Sequence, residues 1–226
     1  MAYYAGDSRE EEMTGGELNE AEALRLKVFQ ERLRKREIWL NGVIDDGLVE
    51  KLYVNLIKLE EASPKEPIIV VINSYGGLAN EAAVATDIMT TVSCPIKTVA
   101  TANALSAGFV IFMGGSERIC HDNTTFMMHD ASFWINDKIS VVRDIVDYME
   151  KAQEKMAKFL SRQTGGKTSP EYWTELFKSG KEKWFTLEEA LDLGIVHKVV
   201  RRNDENPDNV PPNTWNIPAF GKMALR

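Results

Sequence analysis

The stretch 68-IIVVINSYGGLANEAAVATDIMTTV-92 decides how this chain folds. Residues 68–74 form a continuous apolar, β-branched run, which suits a strand buried on both faces. Tyr75-Gly76-Gly77-Leu78 interrupts it, and 79–92 then has helical character. Cys94-Pro95 breaks that helix, and 96-IKTVATA-102 repeats the buried-strand pattern before a second helical pattern opens near Ser106. Apolar strands alternating with helices imply a layered α/β fold with a parallel sheet.

The same alternation extends outward. Leu18, Ala21, Leu24, Val28 and Leu33 recur at helical spacing, so an N-terminal helix is expected over 18–35. A strand follows over 37–45, then an amphipathic helix over 46–61 that ends before Pro64 and Pro67. Downstream, 116–123 reads as a polar turn and 124–129 as a strand. A long helix spans 139–163 and a shorter one 170–178. Thr186 and Glu189 form a capping box, Gly194 stops that helix, and 195–200 is a closing strand. The main domain is therefore expected over 36–202, between a polar, mobile segment at 1–17 with the N-terminal helix and an Asn- and Pro-rich extension at 203–226.

Composition narrows the function. The chain has 226 residues and a formal net charge of −7, which argues against nucleic acid or an anionic membrane as partner. Only Cys94 and Cys120 are present, so a reducing, cytoplasmic compartment is expected. The N-terminal residues lack a basic and an apolar region of the secretory kind, and no apolar run is long enough to span a bilayer. No zinc-type Cys/His spacing occurs, and neither a metal nor a cofactor is expected.

Two turns carry the chemistry. Ser106 lies between small residues at a strand-to-helix corner, where the N–H of Ala107 falls in the unpaired first turn. That suits a nucleophile beside half an oxyanion hole, and equally a helix-capping serine. Gly76-Gly77 after the preceding strand leaves backbone N–H groups unshielded, as does any tight glycine turn. Ligands collect at the carboxyl ends of such strands, so the two turns can meet. A hydroxyl nucleophile needs a base. Of His121, His129 and His197, only His129 ends a strand on that same edge.

The ordered set Ile72-Asn73-Ser74-x-Gly76-Gly77, Ala104-Leu105-Ser106-Ala107-Gly108, Met127-Met128-His129 and Phe185-Thr186-x-x-Glu189-Ala190-x-x-x-Gly194 resembles the ClpP family of self-compartmentalising serine peptidases, from about residue 36 to 200. The resemblance implies a ClpP/crotonase-like layered fold of repeated ββα units with a protruding handle helix at 139–163. It implies Ser106 as nucleophile, His129 as general base, and the N–H groups of Gly77 and Ala107 as oxyanion hole. Gly76, Leu78 and Ser132 would line the substrate site. The family's acid is an aspartate in an Arg-Asp-Arg-like stretch, and Lys181-Glu182-Lys183 places Glu182 there, with Asp130 and Asp137 as other orienters. The implied substrate is an unfolded polypeptide. The implied assembly is a homo-oligomer of heptameric rings, stacked as a tetradecamer and served by an AAA+ unfoldase.

The chain departs from the pattern at 130–134, where Asp130-Ala131-Ser132-Phe133-Trp134 replaces a Gln-Pro and Gly-rich strand, and at its N-terminal signature. Other readings are a catalytically weak or inactive ring subunit paired with an active paralogue, a phage-type processing protease, and a crotonase-like acyl-CoA enzyme. The last has no need of a serine at 106.

Overall fold

The computed structural model describes residues 19–201. The expectations for 1–17 and 203–226 fall outside the described residues. The first elements are α1 (Glu20–Arg34), β1 (Glu37–Ile44), α2 (Asp46–Ala62), β2 (Ile68–Gly77), α3 (Ala79–Thr91), β3 (Ile96–Leu105) and α4 (Ala107–Met113). They are followed by β4 (Glu117–His121), β5 (Thr125–Met128), α5 (Ile139–Gln163), α6 (Pro170–Lys178), β6 (Lys183–Phe185), α7 (Leu187–Asp192) and β7 (Lys198–Val200).

The main sheet runs in the order β1-β2-β3-β4-β7 with every pair parallel. Its helix-facing side is the core. Ile68, Val70 and Ile72 of β2 pack there with Leu52 and Leu56 of α2 and the wholly buried α4. Fully apolar α4 has no outward face, so it can only exist between the sheet and other helices.

β2 and β3 run past the expected 68–74 and 96–102 because they bend instead of stopping. Register shifts fall between Asn41 and Val43 on β1 and between Ile72 and Ser74 on β2. In β3 the bend is at Ala102, a non-glycine residue with φ of 55°. Below it Lys97–Ala100 pair with β4; above it Asn103–Leu105 pair with β5. β5 in turn pairs antiparallel with β6. The upper part of β3 thus carries β5 and β6 as an arm of the same seven-stranded sheet, and Phe126 of β5 packs against Phe109 and Phe112 of α4.

Two elements correct the sequence reading. The segment 116–123 is not a polar turn: residues 117–121 are strand β4, which lies between β3 and β7 in the sheet. Its Arg118 is buried, with the guanidinium donating to the carbonyls of Gly115, Gln163, Gly194 and Ile195 at 2.6–2.9 Å. Burial alone pulls its pKa down to about 10, which still leaves it charged. The closing strand is shorter than 195–200, because 195–197 run alongside β4 before pairing begins at Lys198. No helix among the described residues is long and apolar enough to cross a membrane.

Candidate active site

Ser106 occupies the N-cap position of α4 but does not cap it: its hydroxyl makes no hydrogen bond to the helix. Its backbone sits at φ 52°, ψ −119°, outside the regions favoured by L-residues. Strain of this kind costs on the order of 1–3 kcal/mol and persists only where surroundings hold it. Here the Ser106 N–H donates to the Met127 carbonyl at 2.9 Å, and its own carbonyl accepts from Val110 at 3.1 Å. The hydroxyl is thereby turned out of the helix. It meets His129, whose Nε2 lies 2.9 Å from Ser106 Oγ.

β5 brings His129 to that point. Leu105 and Met127 are paired neighbours, and His129 continues the face that Met127 begins. Phe126 and Met128, on either side of Met127, face the opposite way, into the core, where Phe126 meets Phe109 and Phe112 of α4. The aromatic packing fixes β5, and β5 fixes the histidine.

The glycine turn closes the site. A Cβ on Gly76, whose φ is 108°, would stand 2.8 Å from Ser106 Cβ and 3.3 Å from its Oγ. A Cβ on Gly77 would collide with the backbone of Ile44 at 2.1 Å. Both glycines are therefore demanded by contact. The Gly76 N–H is taken by Ser74 Oγ at 3.0 Å and that of Leu78 by the Ile44 carbonyl at 2.8 Å. Successive N–H groups of an extended chain point to opposite edges, so that of Gly77 turns away from β1. It turns to the side where the β2–β3 ladder has ended at Ser74–Ala104. At the other turn, the Ala107 N–H has no acceptor among the described residues. Buried Ser74 also abuts Gly108, at 3.0 Å from a Cβ placed there. Sequence reasoning passed over it as a site residue, although the Ser-x-Gly spacing is the signal of a serine side chain closing a turn on its own backbone.

The remaining expected residues are less tightly drawn in. Glu182 falls at the position facing His129, since Met128 pairs Lys183 in the antiparallel β5–β6 ladder. No hydrogen bond joins the two; Glu182 instead accepts from Trp184 Nε1 at 3.2 Å. Asp130 accepts from Gln153 on α5, and Asp137 from the N–H of Lys138; neither makes a hydrogen bond to His129 among the described residues. Leu78 is exposed beside the glycines, and Ser132 is exposed in the irregular segment between β5 and α5. His121 and His197 are elsewhere, on and beside β4. Both ring nitrogens of His197 face Arg118, and burial, then the Arg118 charge, lower its pKa. Burial likewise lowers that of His121.

A serine-bearing corner against a glycine turn, with a histidine on the adjoining strand, is joined by a wider likeness. The Clp protease family model matches residues 20–203. The chain belongs to the Clp protease family. It is 32% identical to ATP-dependent Clp protease proteolytic subunit 3 of Rhodococcus jostii (strain RHA1), over 74% of this chain and 82% of that one. To proteolytic subunit 2 of the same organism it is 28% identical, over 77% and 89%. In fold it is similar to a point mutant of ClpP1 from Listeria monocytogenes, with a TM-score of 0.68, 24% identity, and coverage of 78% of this chain and 98% of that one. As a Clp protease family member it is a proteolytic-subunit-like chain of a serine peptidase family.

Proposed function

We infer that this Clp protease family chain is an active serine endopeptidase in which Ser106 is the nucleophile, His129 the general base and Glu182 the carboxylate that orients His129. The observation carrying this reading is the 2.9 Å contact between Ser106 Oγ and His129 Nε2 at a corner whose backbone is held at positive φ. As Ser106 Oγ attacks a peptide carbonyl, Nε2 takes its proton and later gives it to the leaving amine. The N–H groups of Gly77 and Ala107 receive the developing oxyanion. Water then releases the acyl group with His129 again as base. The reaction needs no metal and no cofactor.

The substrate is an unfolded polypeptide. Bound extended past Gly76, Leu78 and Ser132, it would be held through backbone hydrogen bonds that ignore side-chain identity. The exposed apolar side chains Tyr75 and Leu78, which flank the glycine turn, support that class. The assembly is a homo-oligomer of seven-membered rings fed by an AAA+ unfoldase, with α5 as the handle between two rings. All the buried residues of α5 fall in its C-terminal half, at Ala157, Leu160 and Ser161. Its N-terminal half keeps Ile139 and Tyr148 exposed, as a helix with a partner outside its own fold would. Its place of action is the cytoplasm.

A second reading has one observation in its favour: Glu182 bonds Trp184 and not His129. On that reading the chain is a catalytically weak ring subunit that needs an active paralogue. Hydrolysis of an unstructured fluorogenic peptide by the purified chain separates the two. Turnover that Ser106→Ala abolishes supports the active peptidase. Activity seen only when a paralogue is added, and unchanged by Ser106→Ala, supports the weak subunit.

A further inference from the structure

β6 has two faces, and their contents differ in kind. Phe185 points into the core, stacked on Phe109 at 5.6 Å, and Lys183 shares that side, its ammonium 5.4 Å from the Phe185 ring and 2.7 Å from Glu189 Oε1. Alternation puts Glu182 and Trp184 together on the other face. The β5 ladder opposes Trp184 with Met127, and its continuation opposes Glu182 with His129. One face of this two-strand arm therefore carries Met127, His129, Glu182 and Trp184.

On that face the indole N–H of Trp184 donates to Glu182 Oε2 at 3.2 Å. A carboxylate accepts at both oxygens, so one indole bond leaves Oε1 open. Nearby charges are otherwise engaged. Lys183 is bound to Glu189 on the far face, and Asp130, next to His129, is bound to Gln153. Lys181 is exposed to solvent. Trp184 remains 49% exposed, so core packing does not explain an indole here.

We propose that Trp184 is the positioning residue of the site: its indole N–H fixes Glu182 Oε2 so that Oε1 is presented to Nδ1 of His129. This rests on the reading of Glu182 as the orienting carboxylate. The physical need is specific to a glutamate. Its three side-chain torsions on an exposed edge strand must be frozen for the carboxylate to act, and a donor on the same strand face freezes them beforehand. A carboxylate held beside the ring fixes its tautomer and orientation.

The test uses the assembled full chain with 13C-labelled histidine, in wild type, Trp184→Phe, Glu182→Gln and the double variant. With only three histidines the His129 resonance is assigned from His129→Gln. Trp184→Phe is expected to shift the His129 ring resonances and to lower kcat for a peptide by roughly tenfold with KM unchanged. In the Glu182→Gln background it is expected to leave those resonances unshifted and to change kcat by no more than about a factor of two, because coupled residues are not additive. Trp184→His, which keeps a ring N–H, is expected to recover part of the loss.

An equal effect of Trp184→Phe in both backgrounds overturns the proposal, as does a rise in kcat, which would mean the indole withholds Glu182. Unchanged His129 ring resonances in Glu182→Gln remove the carboxylate role itself and the proposal with it. Failure of the wider peptidase reading would show separately, as wild-type protein without turnover in which the His129 resonances still respond to Trp184.

Discussion

The two halves of the candidate site are built by different physics. Ser106 and His129 hang from elements that the core dictates: α4 is buried throughout, and β5 is locked by Phe126 against Phe109 and Phe112. Glu182 precedes a three-residue edge strand with one buried anchor, Phe185. The first half forms its contact within a single chain, at 2.9 Å. The second half leaves its carboxylate on a neighbouring indole. A side chain is held accurately where the residues next to it are buried, and loosely where only strand alternation places it.

That contrast can be broken at four points. The largest effect is expected for His129→Ala, a fall in peptide hydrolysis on the order of a thousandfold or more with little change in Tm, since the ring serves chemistry and not packing. A thermal melt beside the rate assay checks both; a large drop in Tm would make His129 a structural residue. Next comes Gly76→Ala. Its Cβ would enter the 2.8 Å gap to Ser106 Cβ at a φ of 108°, so the rate is expected to fall on the order of a hundredfold and the stability by about 1–3 kcal/mol. A near-wild-type rate would mean that the glycine turn does not abut the nucleophile in the working protein.

Ser74→Ala should be milder. It leaves the buried Gly76 N–H without its acceptor, at about 1–3 kcal/mol, and loosens the turn. Denaturant melts should record the stability loss, with activity down by about tenfold or less; no stability loss would show that the turn holds without it. Asp130→Asn is expected to do least, within about a factor of two in rate, because Asp130 bonds Gln153 and not the histidine. A loss as large as that of His129→Ala would make Asp130 the orienting acid and end the contrast between the two halves.

The sequence made the first half legible and the second half only partly so. The β-branched run before Gly76-Gly77, the small residues around Ser106 and the apolar run before His129 each carry a local signature, because burial and close approach restrict residue types. It did not reveal that Ser106 leaves its capping role, which depends on a backbone held at positive φ by Met127 of another strand. Strand β4 was hidden by Arg118: a charged residue reads as surface, yet four carbonyls, three of them from distant segments, satisfy it in the core. Strand β6 was hidden because 183–185 has no pattern of its own and is a strand only by pairing with β5. The bonds of Glu182, Asp130 and Ser74 are likewise products of tertiary register, which residue type alone does not encode.

The pairing of Ser106 with His129 is the centre of this account, and a fluorophosphonate probe reports on it directly. Treatment of the assembled protein followed by peptide mass mapping is expected to find one covalent adduct, on Ser106, that disappears in His129→Ala. An assembled protein that stays unlabelled, or one labelled at another serine, would contradict it.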